Sequence, residues 1–363
     1  MTFSFIATFK NREEKRIRLF LDSLNAQTFK DFELIFINQG SDDTVNKWVE
    51  KVVTEYNFIK YIFNCTEGYL WNKSNAINIG IKSAKGKHII IADIDLIYLE
   101  DYLEKLKTNV KKGHFITHSV YYNSEKVIVN KPDDLVHIKD YSLFTEAFHS
   151  ACVISLDILK EIKGFDEYYL VWGVEDDDII KSLESAGECR MPLNTTHIPI
   201  YHQWHPSTAY TTPSPWYLKM VDHLFSAKRN ENFGTEWGKI FTEHDRLALI
   251  SVKCGLYAKN KQLCFMPTQP LYFFNTFIED FYKLAKNESA FLEYSVSEKS
   301  VKKNYYYFLK KQFYKVPALV SNNQDAYSIR SFFQLFIGTH RHLMLDYYFR
   351  ESENKFLFVV IKK

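Results

Sequence analysis

Residues Lys87–Ile97 read KHIIIADIDLI. Ile89, Ile90 and Ile91 are consecutive, apolar and β-branched, the pattern of a strand buried on both faces. The run starts just after Gly86 and leads directly into Asp93-Ile94-Asp95, so two carboxylates stand where a buried strand ends. Working outward, NKSNAINIGIKSAKG (72–86) has the length of a helix closed by Gly86. IKYIF (59–63) is a short strand, DDTVNKWVEKVVTEY (42–56) a helix that Asp42 or Asp43 is placed to cap, and FELIFIN (32–38) a strand. REEKRIRLFLDSL (12–24) repeats Ile17, Phe20, Leu21 and Leu24 at helical spacing, and FSFIAT (3–8) is again a buried strand.

This alternation predicts an α/β fold with a mostly parallel sheet covered by helices on both faces. In such sheets ligands bind beyond the carboxyl ends of the strands. Thr8–Arg12, Asn38–Asp43 and Asp93–Asp95 all fall at such ends, so the topology alone predicts that they converge.

A chain of 363 residues, 46% hydrophobic and rich in Phe and Tyr, is long enough for two domains and a sizeable core. The net charge of +2 gives no reason to expect a general nucleic-acid binder. It is unevenly spread: residues 226–363 carry 21 basic and 13 acidic side chains, net +8, leaving −6 for residues 1–225. Aromatic helical spacing beyond residue 226, in QPLYFFNTFIEDFYKLA, NYYYFLKKQFYKV and SIRSFFQLFIGTHRHLMLDYYF, predicts a mainly helical accessory domain (226–363) behind the α/β domain (1–225), with KFLFVVIKK at the end readable as a strand. Five scattered cysteines without a C-x-x-C pair argue against a disulfide framework or structural zinc. The sequence opens on a strand without an export signal and holds no apolar run of about 20 residues, so a cytoplasmic protein is expected.

Several residue types carry chemistry. Asp93 and Asp95 at a strand end are of the kind that holds Mg²⁺ or Mn²⁺ and, through it, a diphosphate, although D-x-D tripeptides are also common in plain turns. His202 and His205 flank Trp204 on an expected loop; a surface pair is the simpler account, and beside a carboxylate site they would favour Mn²⁺ over Mg²⁺. Lys10 and Arg12 follow the first strand, where cations suit phosphates. Glu175-Asp176-Asp177-Asp178 open a helix that ends near Gly187. One or two acids serve a helix N-terminus, each contributing about 0.3–1 kcal/mol; four adjacent ones point to a cation or a proton donor as a further addressee.

Together these segments resemble nucleotide-sugar glycosyltransferases of the GT-A fold, the family-2 enzymes and their β-1,4-galactosyltransferase relatives. FIATFKNREE is similar to Pro-Phe-Arg-x-Arg through Phe9, Lys10 and Arg12, and FINQG to Val-Ile-Asn-Gln through Asn38 and Gln39. WNKSNAINIG resembles Phe-Asn-Arg-Ala-x-x-x-Asn-x-Gly, with Lys73 at the Arg position after Asn72. ADIDLI resembles Ser-Asp-Val-Asp-Leu-Ile, and GFDEYYLVWGVEDDD resembles Gly-Phe…Trp-Gly-Gly-Glu-Asp-Asp-Asp. His205 lies thirty residues past Glu175, the spacing of the family's metal-binding His, and His202 falls where the relative has a Met ligand. The resemblance spans roughly residues 3–210.

The resemblance implies an inverting, metal-dependent transfer of Gal, GalNAc or GlcNAc from a UDP-sugar to a glycan hydroxyl. Asp176 is then the catalytic base, and Glu175, Asp177 and Trp172 bind the acceptor. Thr8, Phe9, Lys10, Arg12, Asn38, Gln39, Asn72, Lys73, Asp93 and Ile94 face the donor. Asp95, His205 and His202 hold Mn²⁺ (or Mg²⁺). Asp178 has no implied role. HSAC (149–152) replaces the family's small-residue segment, and Ala147 stands where galactosyl-specific relatives place a bulky aromatic, which hints at room for an N-acetyl group. A nucleotidyltransferase and a non-catalytic nucleotide-sugar-binding module are the rival readings. The first lacks a Gly-rich phosphate loop after strand one; the second does not need Asp95, Asp176 and His205 intact. Lys302, Lys303, Lys310, Lys311 and Lys315 flank YYYF, and the alternatives for them are a solvated face or a peripheral contact with the inner face of a membrane carrying a lipid-linked glycan acceptor.

Overall fold

The computed structural model describes residues 1–137, 141–144, 151–167, 169–170, 175–193, 198–205, 237–244, 277–279, 281–286, 289–295, 333, 336–337, 340, 343–352 and 355–363. The expected alternation is present. β1 (Phe3–Phe9), α1 (Glu14–Asn25), β2 (Phe32–Asn38), α2 (Asp43–Val53), β3 (Ile59–Phe63), α3 (Lys73–Ser83) and β4 (His88–Ala92) follow one another. Then come β5 (Leu96–Tyr98), α4 (Tyr102–Lys107), β6 (His114–His118), β7 (Val120–Asn123), a 3-10 turn (Pro132–His137), β8 (Tyr141–Phe144), β9 (Ala151–Ser155), α5 (Leu156–Glu161), α6 (Glu175–Ser185), β10 (Cys189–Leu193) and β11 (Ile200–His202).

A seven-stranded sheet runs β10-β6-β9-β4-β1-β2-β3, parallel except at β9. The chain moves outward from β1 to β3 and returns to pair β4 on the other side of β1. The order therefore reverses between β1 and β4, which places the ligand crevice at their carboxyl ends. Both faces are packed. Phe3, Phe5, Phe9, Phe20 and Phe36 fill one cluster, and Ile6, Ile35, Ile37, Ile77 and Ile91 belong to the other. Gly80 lets α3 lie close on β1, because a Cβ there would overlap Ile6.

A second sheet, β5-β11-β7-β8, lies beyond the end of β4. The third is antiparallel, β12 (Ser289–Ser295), β14 (Lys355–Lys362) and β13 (Met344–Ser352), ordered β12-β14-β13. KFLFVVIKK is a strand as its composition suggested. MLDYYF, expected at the end of a helix, is strand β13 instead: Tyr347 and Phe349 pack with Phe358 and Val360 in one cluster, while Tyr348 and Val359 form another. This period-two division of the aromatics outweighs their helical spacing. Among the described residues, no helix is long and apolar enough to cross a membrane.

Candidate active site

The D-x-D segment and the histidine loop meet because two short strands pair. β11 runs antiparallel to β5 with His202 opposite Leu96, and the Gln203 amide donates to the Asp95 carbonyl at 2.7 Å. Residues 107 and 110 positions downstream are thus delivered to the end of β4. His202 Nε2 lies 3.5 Å from Asp95 Oδ1, and His205 Nε2 lies 3.2 Å from Asp95 Oδ2. One ligand atom from each residue falls within 4.8 Å of the other two. Burial raises the Asp95 pKa, but the His205 hydrogen bond and the charges of both histidines and Arg16 outweigh it and hold the carboxyl at about 2. Burial pushes His202 downward, toward the neutral form that can act as a ligand. Tyr122 stacks on the His202 ring at 4.4 Å and fixes its plane.

The fit to a cation has a direct test. Asp95 Oδ1 is buried with no hydrogen-bond donor among the described residues, an arrangement that costs free energy unless a positive group completes it. One carboxylate and two imidazoles form a mixed O/N set that suits Mn²⁺ better than Mg²⁺.

Lys73 is the first residue of α3, and its Nζ sits 3.0 Å from Asp93 Oδ1. Burial lowers its pKa, but the carboxylates of Asp93, Asp176 and Glu175 raise it further, so the ammonium stays charged. Lys73 therefore links the D-x-D segment to the acidic helix. In α6, Glu175, Asp176 and Asp178 are buried and Asp177 is exposed. Ile179, Ile180 and Leu183 form the inward stripe of the helix, and Asp178 is buried although helical spacing places it farther from that stripe than the exposed Asp177. Asp176 also acts on Cys152 in β9, whose thiol is pushed up to about 12, first by burial and then by that carboxylate.

The other donor-side candidates divide. Thr8 and Lys10 are half-buried and Arg12 is exposed, its guanidinium bonded to the Lys10 carbonyl. The Lys10 pKa is lowered by burial against the opposing pull of Asp42 and Glu67. Phe9 differs from its expected role: its ring is buried against Phe36 at 4.6 Å, so the side chain belongs to the core. Ile94 is likewise a core side chain. Asn38 is fully buried and bonds Asn46, Tyr61 and the Ser41 amide. Gln39 and Asn72 are engaged by other amides. Trp172, Ala147, His149 and the lysines between 302 and 315 lie outside the described residues.

Arg16 was missed. It sits on the first turn of α1, its charge reaches both Asp95 and His202, and its carbonyl accepts from Gln203 Nε2. The only signal was a cation at helical spacing from Arg12. Also unforeseen is how the C-terminal residues grip the loop before α3. Tyr69 donates to Asp346 at 2.7 Å, the Phe349 amide to the Gly68 carbonyl at 2.6 Å, and the Leu70 amide to Tyr347 at 3.3 Å. Gly68 has φ +76, and a Cβ there would overlap the Tyr348 ring.

Comparison with known proteins bears on what such a site serves. Residues 4–157 match the family described as Glycosyl transferase family 2. An uncharacterized glycosyltransferase of Rickettsia conorii is 31% identical over 103 residues, 28% of this chain and 16% of that protein. One from Methanocaldococcus jannaschii is 32% identical over 174 residues, 43% of this chain and 56% of that protein. The chain thus spans under two thirds of these relatives. The solved structure of S. aureus TarS 1–349 in complex with UDP-GlcNAc superposes with a TM-score of 0.47 at 16% identity, over 78% of this chain and 82% of that one. Both of these sequence relatives are described as glycosyltransferases.

Proposed function

We propose that this chain is an inverting, metal-dependent glycosyltransferase that moves Gal, GalNAc or GlcNAc from a UDP-sugar to a glycan hydroxyl, in bacterial surface polysaccharide synthesis. The observation that carries the reading is one constellation at the carboxyl end of β4. Asp95, His202 and His205 cluster there, and Lys73 feels Asp93, Asp176 and Glu175 together. A cation site and a carboxylate cluster sharing one lysine suit a reaction that must stabilise a leaving diphosphate and deprotonate a hydroxyl.

Asp95, His202 and His205 would hold Mn²⁺, which when bound supplies positive charge against the charge growing on the leaving diphosphate. Lys73 adds a second fixed cation on that side. Asp176 accepts the proton of the acceptor hydroxyl as its oxygen bonds to the anomeric carbon. The bond from that carbon to the diphosphate oxygen breaks on the opposite face, and UDP departs with the electron pair, so configuration inverts. General-base assistance of this kind contributes about 10²–10⁴-fold. Glu175 and Asp177 accept hydrogen bonds from neighbouring acceptor hydroxyls, with Asp177 on the open side. Arg16 and Lys10 set a positive border around the donor.

A lipid-linked acceptor, with the lysines between 302 and 315 resting on an anionic bilayer, extends the reading. Co-sedimentation with anionic liposomes at low salt, lost as salt rises, is its expected result. The main test is a screen of UDP-sugars for Mn²⁺-dependent hydrolysis and thermal stabilisation. One UDP-sugar should stand out in both. If none is hydrolysed or stabilises the fold, the reading fails; stabilisation without turnover would instead mark a binding module.

A further inference from the structure

Glu167 is a buried carboxylate, 5% exposed, that the chemistry above does not use. A buried charge must be fully hydrogen-bonded to persist, and here the bonds have a definite direction. Main-chain N–H groups are unambiguous donors, and they fix the orientation of each amide around Glu167. The Phe241 amide donates to Asn64 Oδ1 at 2.6 Å, so Asn64 Nδ2 donates onward to Gln39 Oε1 at 2.8 Å. Gln39 Nε2 then donates to Asn75 Oδ1 at 3.1 Å, and Asn75 Nδ2 to Glu167 Oε2 at 3.2 Å. On a second branch the Phe165 amide donates to Asn78 Oδ1 at 2.8 Å, so Asn78 Nδ2 points to Glu167 Oε1 at 2.9 Å. The Gly238 amide adds a third donor at 2.5 Å. Each branch ends on the same acceptor-only group, which is the role an ionised carboxylate fills and an amide does not.

The site lies at the edge of this network. Asn72 caps α3 by accepting from the Asn75 amide at 2.9 Å, so its Nδ2 donates to the Glu167 carbonyl at 2.8 Å. The next residue is Lys73. In the other direction, Glu167 stands eight residues before Glu175 on the segment that enters α6. The network also recruits residues 237–241 through Gly238, the Phe241 amide and the Lys239 carbonyl.

We propose that Glu167 is a positioning residue that holds the first turn of α3, and with it Lys73, in register with the segment leading into the acidic helix. The donor end and the acceptor end of the site are then set by one buried group. This rests on the reading that Lys73 faces the donor and Asp176 the acceptor.

The test uses the full chain with Glu167→Gln, Lys73→Ala and the double substitution. Glutamine keeps the volume and turns an NH₂ toward donors. Without ligand, amide hydrogen exchange should quicken about ten-fold or more in peptides covering 72–83 and 175–185, with β2 unchanged, as expected for local rather than global opening. Affinity for UDP in the presence of Mn²⁺ should fall about ten-fold, whereas in the Lys73→Ala background the same change should cost less than about two-fold, the mark of residues acting as a unit. Unchanged exchange, or nucleotide losses that multiply independently of Lys73, overturns the proposal. If the wild-type chain does not bind UDP, the donor reading falls while the exchange result still decides the role of Glu167. Should Glu167→Gln not fold, Asn72→Ser keeps a capping oxygen and deletes only the donor to the Glu167 carbonyl. It must then quicken exchange in both peptides, and a change confined to neither or to 72–83 alone refutes the coupling.

Discussion

The Lys73 ammonium lies 3.0 Å from Asp93 and within the field of Asp176, so a single side chain joins the strand end to the acidic helix. Removing it deletes the ion pair to Asp93 and the positive charge that acts on Glu175 and Asp176. Lys73→Met should therefore lower stability by about 1.5–3 kcal/mol, the scale of hydrogen bonds to charged groups, and weaken UDP binding in the same protein. Lys73→Arg should recover most of both. Denaturant titration and calorimetry measure the two effects, and a Met variant as stable as wild type would show that the ion pair is incidental.

Asp95 is the shared partner of both histidines. Asp95→Ala should abolish stoichiometric Mn²⁺ binding, followed through the loss of free-ion paramagnetic resonance signal. His205→Ala and His202→Ala should each weaken it. Wild-type Mn²⁺ affinity in Asp95→Ala would place the cation elsewhere.

Asp176→Asn preserves shape and removes proton acceptance. Turnover should fall about 10²-fold or more while UDP affinity stays near wild type. Asp177→Asn, at an exposed position, should act mainly through the acceptor KM. Equal losses of UDP binding and turnover in Asp176→Asn would assign the carboxylate a structural role.

His118 provides a pH-dependent term independent of the site. It is buried in β6 beside Tyr102, and burial lowers its pKa to about 3. The unfolded chain takes up this proton near pH 6.5 and the folded chain near 3. Stability from this group is complete above pH 6.5 and is lost as pH falls toward 3, by about 1.4 kcal/mol per unit. His118→Gln should flatten that part of the stability profile. An unchanged slope between pH 6 and 4 would contradict the assignment.

Local pattern made the front of the molecule legible. Runs such as Ile89–Ala92 and the helical spacing of Ile17, Phe20, Leu21 and Leu24 report directly on which faces are buried, and the order of elements then implies where strand ends converge. The carboxylates and histidines were visible as residue types because their chemistry is carried by composition and spacing. Three things were decided only by tertiary contact. The β5–β11 register sets His202 and His205 on Asp95 from more than a hundred residues away. The burial of Phe9 against Phe36 turned a candidate contact into core. The amides of Asn64, Gln39, Asn75 and Asn78 acquired a direction only when main-chain donors and Glu167 closed around them. The physical reason is common to all three. Periodicity encodes how a residue relates to solvent, whereas a hydrogen bond or an ion pair depends on a partner that distant chain brings to within about 3 Å.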